Sequence, residues 1–479
     1  MSPPTFTVAI CGGGIAGLSL AIALSRLSLE KKDHIRVDIY EAAHEFTEVG
    51  AGVVMWRRPW KVMKALGLAE ELGKLCEVPS VQDEDNPHLA FKMRKSDSKE
   101  GVSFYDLTVP MGNLTFHRAE FLNCLAGQLD PTTTTSHFSK RLVSYSLPSS
   151  SPLAPIILRF QDGQSTTCDV LVGADGIHSA TRHAMFELAV KDVEVDSGDG
   201  RKTAETFLNT VDPVWSGSVA YRAIVARDKL EKINPNHRAM LIPHNHIIVF
   251  PISHGRLINV VAFCSWPDKD GTTFEGKIVE ECNREELIEQ YVGWEEEVQQ
   301  LLQCVEKTSR WAINALRDLP ISTHDRVALM GDAAHAMTPH QGSGAGQAIE
   351  DAYILGTLLT HPLTTLSTVK TALKAYEAVC LPMGIDIQRR SWLNGKLYEF
   401  ADPRFASLDL DYDINEGTQQ REIVLDRLKA VGRAVIENRK WAWTTNIEDD
   451  RERAVKLYEK WIRDQSHTGR EVTRITSVD

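Results

Sequence analysis

Three things are scarce in this 479-residue sequence: basic charge, paired cysteines and long apolar runs. Lysine and arginine number 53 against 65 aspartates and glutamates, a formal net charge of −12, and they form no block. A nucleic-acid partner needs a basic face to neutralise phosphates, so that class is excluded. The eight cysteines (11, 76, 124, 168, 264, 282, 304 and 380) include no C-x-x-C pair. Their scatter suits a reduced compartment and carries no zinc spacing, so no metal is expected. No apolar run reaches the roughly 20 residues that cross a bilayer. Residues 8–24, VAICGGGIAGLSLAIAL, come nearest, but consecutive glycines interrupt them and no basic segment precedes them, so they read as neither span nor leader. Asn113-Leu114-Thr115 reads as an accidental sequon, and the closing TSVD as no retention or peroxisomal signal. The expectation is a soluble cytoplasmic protein, with monomer and homodimer both open.

Internal repeats are also missing, and SLPSSSPLAP (146–155) is the one low-complexity stretch, short enough for a loop. With 43% hydrophobic and 25% charged residues, the composition excludes disorder and fibrous classes. The length predicts two or three domains.

What is present begins with a strand–glycine–helix pattern. Thr7 to Cys11 is a short apolar run, Leu18 to Leu27 is apolar at helical spacing, and Arg36 to Tyr40 alternates as a second strand. Between the first two, Gly12-Gly13-Gly14-Ile15-Ala16-Gly17 satisfies G-x-G-x-x-G. Gly12 permits the tight turn, Gly14 lets the backbone approach a pyrophosphate, and Gly17 lets helix and strand pack closely. The phosphates then meet unpaired N–H groups at a helix N-terminus, beside Ala16. Glu41, at the end of the second strand, stands where an acid should meet a ribose hydroxyl, roughly 20 residues on. A dinucleotide site follows, and glutamate does not separate NAD from FAD.

The rest of the chain is mixed. Residues 80–115 are polar and broken by Asp-Glu-Asp-Asn-Pro, and predict a loop or mobile segment. Leu153 to Phe160 and Thr167 to Val172 flank an Asp162-Gly163 turn and predict a hairpin running into Gly173-Ala174-Asp175-Gly176. VAYRAIV, HIIVFPI and LINVVAF, within 205–265, predict a mixed sheet. After Asp332 the pattern is helical: Val424, Leu425, Leu428, Val431 and Val435 share one face, as do Ala454, Val455, Tyr458, Trp461 and Ile462.

A second glycine-rich stretch, GDAAHAMTPHQGSGAGQAIEDA (331–352), lacks the following strand and acid that a second nucleotide domain would need. Its opening, Gly331-Asp332-Ala333-Ala334-His335 with Pro339, resembles the G-D motif of the flavoprotein aromatic hydroxylases. CDVLVGADGIHS (168–179), followed by Arg182, resembles their D-G motif. With the first loop, these are the marks of the single-component (class A) FAD monooxygenases, in the family's order, over about residues 5 to 400. PHQGSGAGQAIEDA, LYE (397–399) and RKWAW (439–443) look most like salicylate hydroxylases and their fungal relatives.

The resemblance implies an α/β fold: a Rossmann-like, p-hydroxybenzoate hydroxylase-like FAD-binding domain (1–79, 110–200 and 315–390), interleaved with a mixed β-sheet substrate domain (201–314). Segment 80–109 is the loop, and 391–479 a helical C-terminal region. It implies one FAD held by distant segments: Asp332 on the ribityl chain, and Pro339, Gly342, Gly344 and Ala345 beside the ring. The dipole of the helix starting near Gly344 would stabilise the reduced flavin anion. Asp175 and Gly176, Gly331, Arg118 in HRAEFLNCL, and the Gly50-Ala51-Gly52 turn are the remaining expected cofactor contacts. MWRRPW (55–60) departs from the family's proline-asparagine segment and leaves flavin mobility and substrate access open.

The implied chemistry is reduction of FAD by NADH or NADPH, visiting transiently, then reaction with O2 to a C4a-hydroperoxyflavin that hydroxylates an activated phenol. Arg222, in VAYRAIV, matches an arginine that relatives aim at the substrate, and its planar fork suits a carboxylate. His340, directly after Pro339, can accept a phenolic proton near neutral pH, while His335 reads as ordering its turn. Phe250 stands where many relatives have tyrosine and suggests a differently anchored or bulkier ring. His246, nearby, receives no role. The leading expectation is hydroxylation of salicylate or a hydroxybenzoate, with or without loss of CO2. The alternatives are a tailoring hydroxylase or epoxidase acting on a polyketide, prenylated phenol or indole, a flavin oxidase or reductase, and a non-enzymatic flavin-binding protein.

Overall fold

A computed structural model describes residues 6–28, 35–47, 52–76, 84–148, 151, 153–196, 200–237, 247–405 and 418–475. Six strands, in the order Thr323–His324, Val327–Leu329, Val170–Gly173, Thr7–Cys11, Arg36–Tyr40 and Thr134–His137, form the central sheet. Neighbours run parallel except at the Thr323–His324 edge. Alternation along the strands decides what each face buries. Val8, Ile10, Val37, Ile39 and Val172 pack into one core, and Ala9, Cys11, Leu171, Val327 and Leu329 into another. Helices Ile15–Ser28 and Gly344–Leu359 cover the first face and pack on each other, which brings the two glycine-rich stretches together. The second face is covered by helix Ala180–Asp196 and an antiparallel sheet of Leu142–Ser146, Ile156–Phe160 and Ser165–Cys168.

The expected hairpin before GADG is shorter than predicted. Ser165–Cys168 closes it, and Val170–Gly173 departs into the central sheet. Asp169 marks the crossing, where its carboxylate accepts from the Thr7 N–H (2.8 Å) and hydroxyl (2.9 Å).

The second sheet is antiparallel, in the order Ile247–Ile252, Leu257–Ser265, Val214–Ala226, Thr308–Ala315 and Val279–Cys282. One face, with Tyr221, Val249, Val260 and Ala262, packs on helices Arg227–Ile233, Arg284–Glu289 and Glu296–Gln303. The sheet begins at Val214, because helix Gly200–Thr210 precedes it and packs on helix Ala180–Asp196 through Phe186 and Phe207 (ring centroids 5.4 Å).

Two further expectations are corrected. Within the expected 80–109 loop, the described residues hold two strands: Pro87–Lys95 and Val102–Pro110 pair as an antiparallel hairpin. Its charged residues conceal it, since Arg94 pairs with Glu295 (2.5 Å) and Lys95 with Asp97 (2.5 Å), while Phe91, Met93, Leu107 and Val109 pack against Val431 and Val435 of helix Thr418–Arg439. The boundary expected at 390/391 falls inside a continuous 30-residue helix, Val369–Tyr398. The last helix, Ile447–Ile475, sets Ala454 and Tyr458 into the same core as helix Gly344–Leu359, so the C-terminal region is joined to the nucleotide-type half rather than appended to it. No helix among the described residues is long and apolar enough to cross a membrane.

Candidate active site

Where the two sheets face each other lies a cavity of about 370 Å³, within the range of small-molecule sites. The second sheet supplies one wall by period-two alternation. Arg222, Ile248, Phe250, Asn259, Val261 and Phe263 all line it, and register confirms their shared face: Arg222 sits opposite Val261, and Phe250 opposite Asn259. Asn259 is 2% exposed, and its Oδ1 accepts from the Gly52 N–H (2.8 Å). Its Nδ2 has no partner among the described residues. The Phe250 ring lies where a side chain on Gly52 would stand, with Cε2 only 2.2 Å from a hypothetical Cβ. Phe250 therefore spaces the Gly52–Met55 strand from the sheet as well as lining the cavity.

The opposite wall is made of helix N-termini. Gly14, Ile15 and Ala16 open the first helix, Arg118 opens helix Arg118–Ala126, and Ser343, Gly344 and Ala345 open helix Gly344–Leu359. Three helix N-termini thus border one space, and their dipoles favour an anionic ligand there. Gly12, Gly17 and Gly331 act behind this surface. Gly12 has φ +107°, and a Cβ at Gly17 would lie 2.0 Å from the Gly12 carbonyl. Gly331, at φ +57°, sits between Ala16 and Ala348, each within 3.2 Å of where its Cβ would be. That close approach is the physical junction of the two glycine-rich stretches.

Asp332 is exposed on the cavity wall beside Arg118. Burial pushes the Arg118 guanidinium pKa down, and the Asp332 carboxylate opposes the shift. Arg222 is lowered to about 10, first by burial and then by Arg118. Its Nε has no partner among the described residues, and its guanidinium lies over the Trp311 ring at 4.5 Å. Two close cations, of which Arg222 meets no carboxylate among the described residues, suit an anion-receiving site.

His340 is 6% exposed, and its ring lies 4.9 Å from Phe263 and 6.4 Å from Tyr398. It nests against helix Val369–Tyr398 at Gly395, where a Cβ would stand 2.6 Å from the ring. His335 lies apart from the cavity. Its Nε2 meets Asp351 at 2.6 Å, and the same Asp351 oxygen accepts from the Gly331 N–H (2.9 Å). Burial disfavours the charged His335, but Asp351 outweighs it and raises the pKa.

Most of the expected residues gather here: Gly14, Ala16, Gly52, Arg118, Gly176, Arg222, Phe250, Asp332, Pro339, His340, Gly342, Gly344 and Ala345 all line the cavity. Asp175 and Glu41 do not. Asp175 caps helix Ala180–Asp196, accepting from the Ser179 hydroxyl (2.5 Å) and the Thr181 N–H (3.0 Å). Glu41 accepts from the Gly13 and Ala43 N–H groups, both at 2.7 Å, and so orders the glycine loop. Arg182 ties the two motifs, donating to the carbonyls of Ala333 (3.0 Å) and Ile177 (2.5 Å). Gly50, Ala51 and His246 lie outside the described residues.

Sequence reasoning assigned no cavity role to Asn259 or Phe91, nor to Trp56, Tyr398 and Arg439 within the MWRRPW, LYE and RKWAW segments, yet all five line the cavity. Asn259 had a signal, as the lone polar residue of LINVVAF. Trp56, in the atypical MWRRPW segment, donates from Nε1 to the Gln341 carbonyl (3.0 Å) and helps fix the loop after His340.

A Rossmann-like domain with glycine-loop amides at its cavity, facing a mixed-sheet domain with an aromatic, cationic wall, is the architecture of a flavin-dependent aromatic hydroxylase. The residues fit FAD: helix N-termini for its phosphates, the Asp332 carboxylate for its hydroxyls, and the unpaired Asn259 amide donor in the wall. The chain belongs to the FAD binding domain family, matching it over residues 5–391, and is an FAD-dependent aromatic monooxygenase. It is 34% identical to a salicylate hydroxylase of Pseudomonas putida, over 83% of this chain and 87% of that one. It is 31% identical to a 6-methylsalicylate 1-monooxygenase of Aspergillus terreus, over 96% and 94%. A solved salicylate hydroxylase–substrate complex superposes with a TM-score of 0.73 at 27% identity, covering 95% of this chain and 98% of that one.

Proposed function

We propose that the chain hydroxylates a phenolic acid of the salicylate or hydroxybenzoate type, with NADH or NADPH and O2 as co-substrates. The observation that carries this reading is Arg222, a guanidinium on the cavity wall, its Nε unpartnered among the described residues, 4.5 Å from the Trp311 ring centroid and flanked by Val261 and Phe263. A guanidinium fork with an open donor suits a planar carboxylate, while the apolar neighbours suit the ring that carries it. The salicylate-named relatives support the same substrate class.

FAD, when bound and reduced by NAD(P)H, would activate O2 so that one of its oxygen atoms can be transferred. The chain's own residues do the rest. Arg222 orients the carboxylate, and His340 takes the phenolic proton, which makes the ring electron-rich where oxygen arrives. Phe250, Phe263 and Trp56 exclude water, which would otherwise divert the oxygen to H2O2. One oxygen atom enters the ring and the other leaves as water, with two electrons from NAD(P)H. If the attacked carbon bears the carboxylate, CO2 leaves with it.

A panel of hydroxybenzoates and neutral phenols, followed by NAD(P)H consumption and mass spectrometry, tests this. A gain of one oxygen on a phenolic acid, with or without loss of CO2, is expected. Stoichiometric H2O2 without hydroxylated product would move the chain to the oxidases. In Arg222→Met, KM should rise about tenfold or more for carboxylated phenols and little for neutral ones. Equal effects on both would remove the carboxylate role.

A further inference from the structure

Arg439 ends helix Thr418–Arg439 and reaches the cavity from a different wall than Arg222. It is 4% exposed. Its Nη2 donates to the His340 carbonyl (2.6 Å) and the Tyr398 hydroxyl (2.8 Å), while its Nε has no partner among the described residues. The guanidinium carbon lies 5.0 Å from both the Trp56 and the Phe91 rings. No ion pair meets it among the described residues. Arg58 and Arg94, also deeply buried, are neutralised by Glu350 at 2.7 Å and Glu295 at 2.5 Å, while Arg182 gives its three donor nitrogens to backbone carbonyls. A buried cation beside two aromatic rings, with an open donor at a ligand cavity and no carboxylate partner among the described residues, is suited to an oxyanion.

We propose that Arg439 and Tyr398 form a second anion-recognition site of this cavity, so that the substrate is a phenolic acid bearing, beyond its carboxylate and the hydroxyl that His340 deprotonates, a further acidic group, a second hydroxyl or a second carboxylate. Arg222 holds the first carboxylate, and Arg439 selects among the acids that fit. This inference rests on the phenolic-acid reading above and narrows its substrate class.

Binding to the FAD-loaded protein, followed by perturbation of the flavin spectrum, separates the outcomes without turnover. The probes are salicylate, the four 2,x-dihydroxybenzoates with x from 3 to 6, and 3- and 4-hydroxyphthalate; the two series distinguish hydroxyl from carboxylate as the second group. Wild type should bind at least one doubly acidic probe about tenfold tighter than salicylate. Arg439→Met should erase that preference while leaving salicylate affinity within about threefold. Equal weakening of every probe would make Arg439 a mere support for His340 and overturn the proposal, as would a wild type without preference. If Arg439→Met does not retain FAD, Tyr398→Phe decides: a reduced preference supports the site, and an unchanged one overturns it. If no phenolic acid binds at all, the broader reading falls too. If salicylate binds and is hydroxylated but no second acidic group is preferred, only this inference falls.

Discussion

At the scale of single residues, Asp332 carries the most testable weight. Its carboxylate is exposed on the cavity wall, at the start of the short helix Asp332–His335, with Arg118 close enough to feel its charge. A hydrogen bond to a charged acceptor contributes roughly 1.5–3 kcal/mol. Asp332→Ala should therefore raise the FAD dissociation constant by about tenfold or more. Purification as largely colourless protein, with weak rebinding in a flavin fluorescence titration, is the expected outcome. A fully yellow variant would show that the carboxylate does not hold the cofactor. Asp332, His340 and the helix-opening glycines were legible because the motif fixes their spacing. Arg439 was not, because one buried arginine facing a cavity and one exposed arginine on a helix look the same in sequence. Asp175 and Glu41 were legible as important, yet their carboxylates go to backbone and hydroxyl donors of their own loops. Spacing identifies the loop; it does not say which way a carboxylate turns.

Among elements, the decisive contact is the one joining strand Val327–Leu329, the Gly331 turn and helix Gly344–Leu359. Asp351 is the knot, accepting from the Gly331 N–H and bonded to His335, with Gln347 Nε2 on its second oxygen at 3.3 Å. The folded-state pKa of His335 is raised, so its contribution to stability is complete below the unfolded value, about 6.5, and is lost as pH rises through the folded value. His335→Asn should lower Tm more at pH 5.5 than at pH 8.5 relative to wild type, by thermal unfolding monitored with circular dichroism. A pH-independent deficit would mean that His335 stays neutral beside Asp351. Element type was readable for the βαβ opening and the late helices, whose periodicity is strong. The hairpin of Pro87–Lys95 and Val102–Pro110 was not, since its charged residues find partners and its apolar face is covered by a helix far along the chain.

Across the whole molecule, segments distant in sequence share one core, and a single side chain shows how. Arg58 is 1% exposed and joins helix Arg57–Ala65 to Glu350 on helix Gly344–Leu359 and to Asp450 on helix Ile447–Ile475, at 2.7 and 2.8 Å. Removing one partner of such a network leaves charge buried without compensation, at a cost of roughly 3–5 kcal/mol. Arg58→Met should therefore lower Tm by several degrees. Burial raises the pKa of Glu350, with Arg58 opposing it, so the loss should be smaller in acid, where the stranded carboxyl takes a proton. A Tm unchanged at every pH would show that the network is neutral to stability. The sequence order alone suggested a terminal region that follows the nucleotide half. Tertiary packing makes it part of that half, and only long-range contacts reveal this.

The family match ends at residue 391, while Tyr398 and Arg439 stand beyond it on the cavity wall. The cavity wall is therefore completed from beyond the FAD-binding match, and the Arg58–Asp450 pair ties that late stretch back to the nucleotide half. A substitution there that alters what enters the cavity is also felt in the core that shapes it.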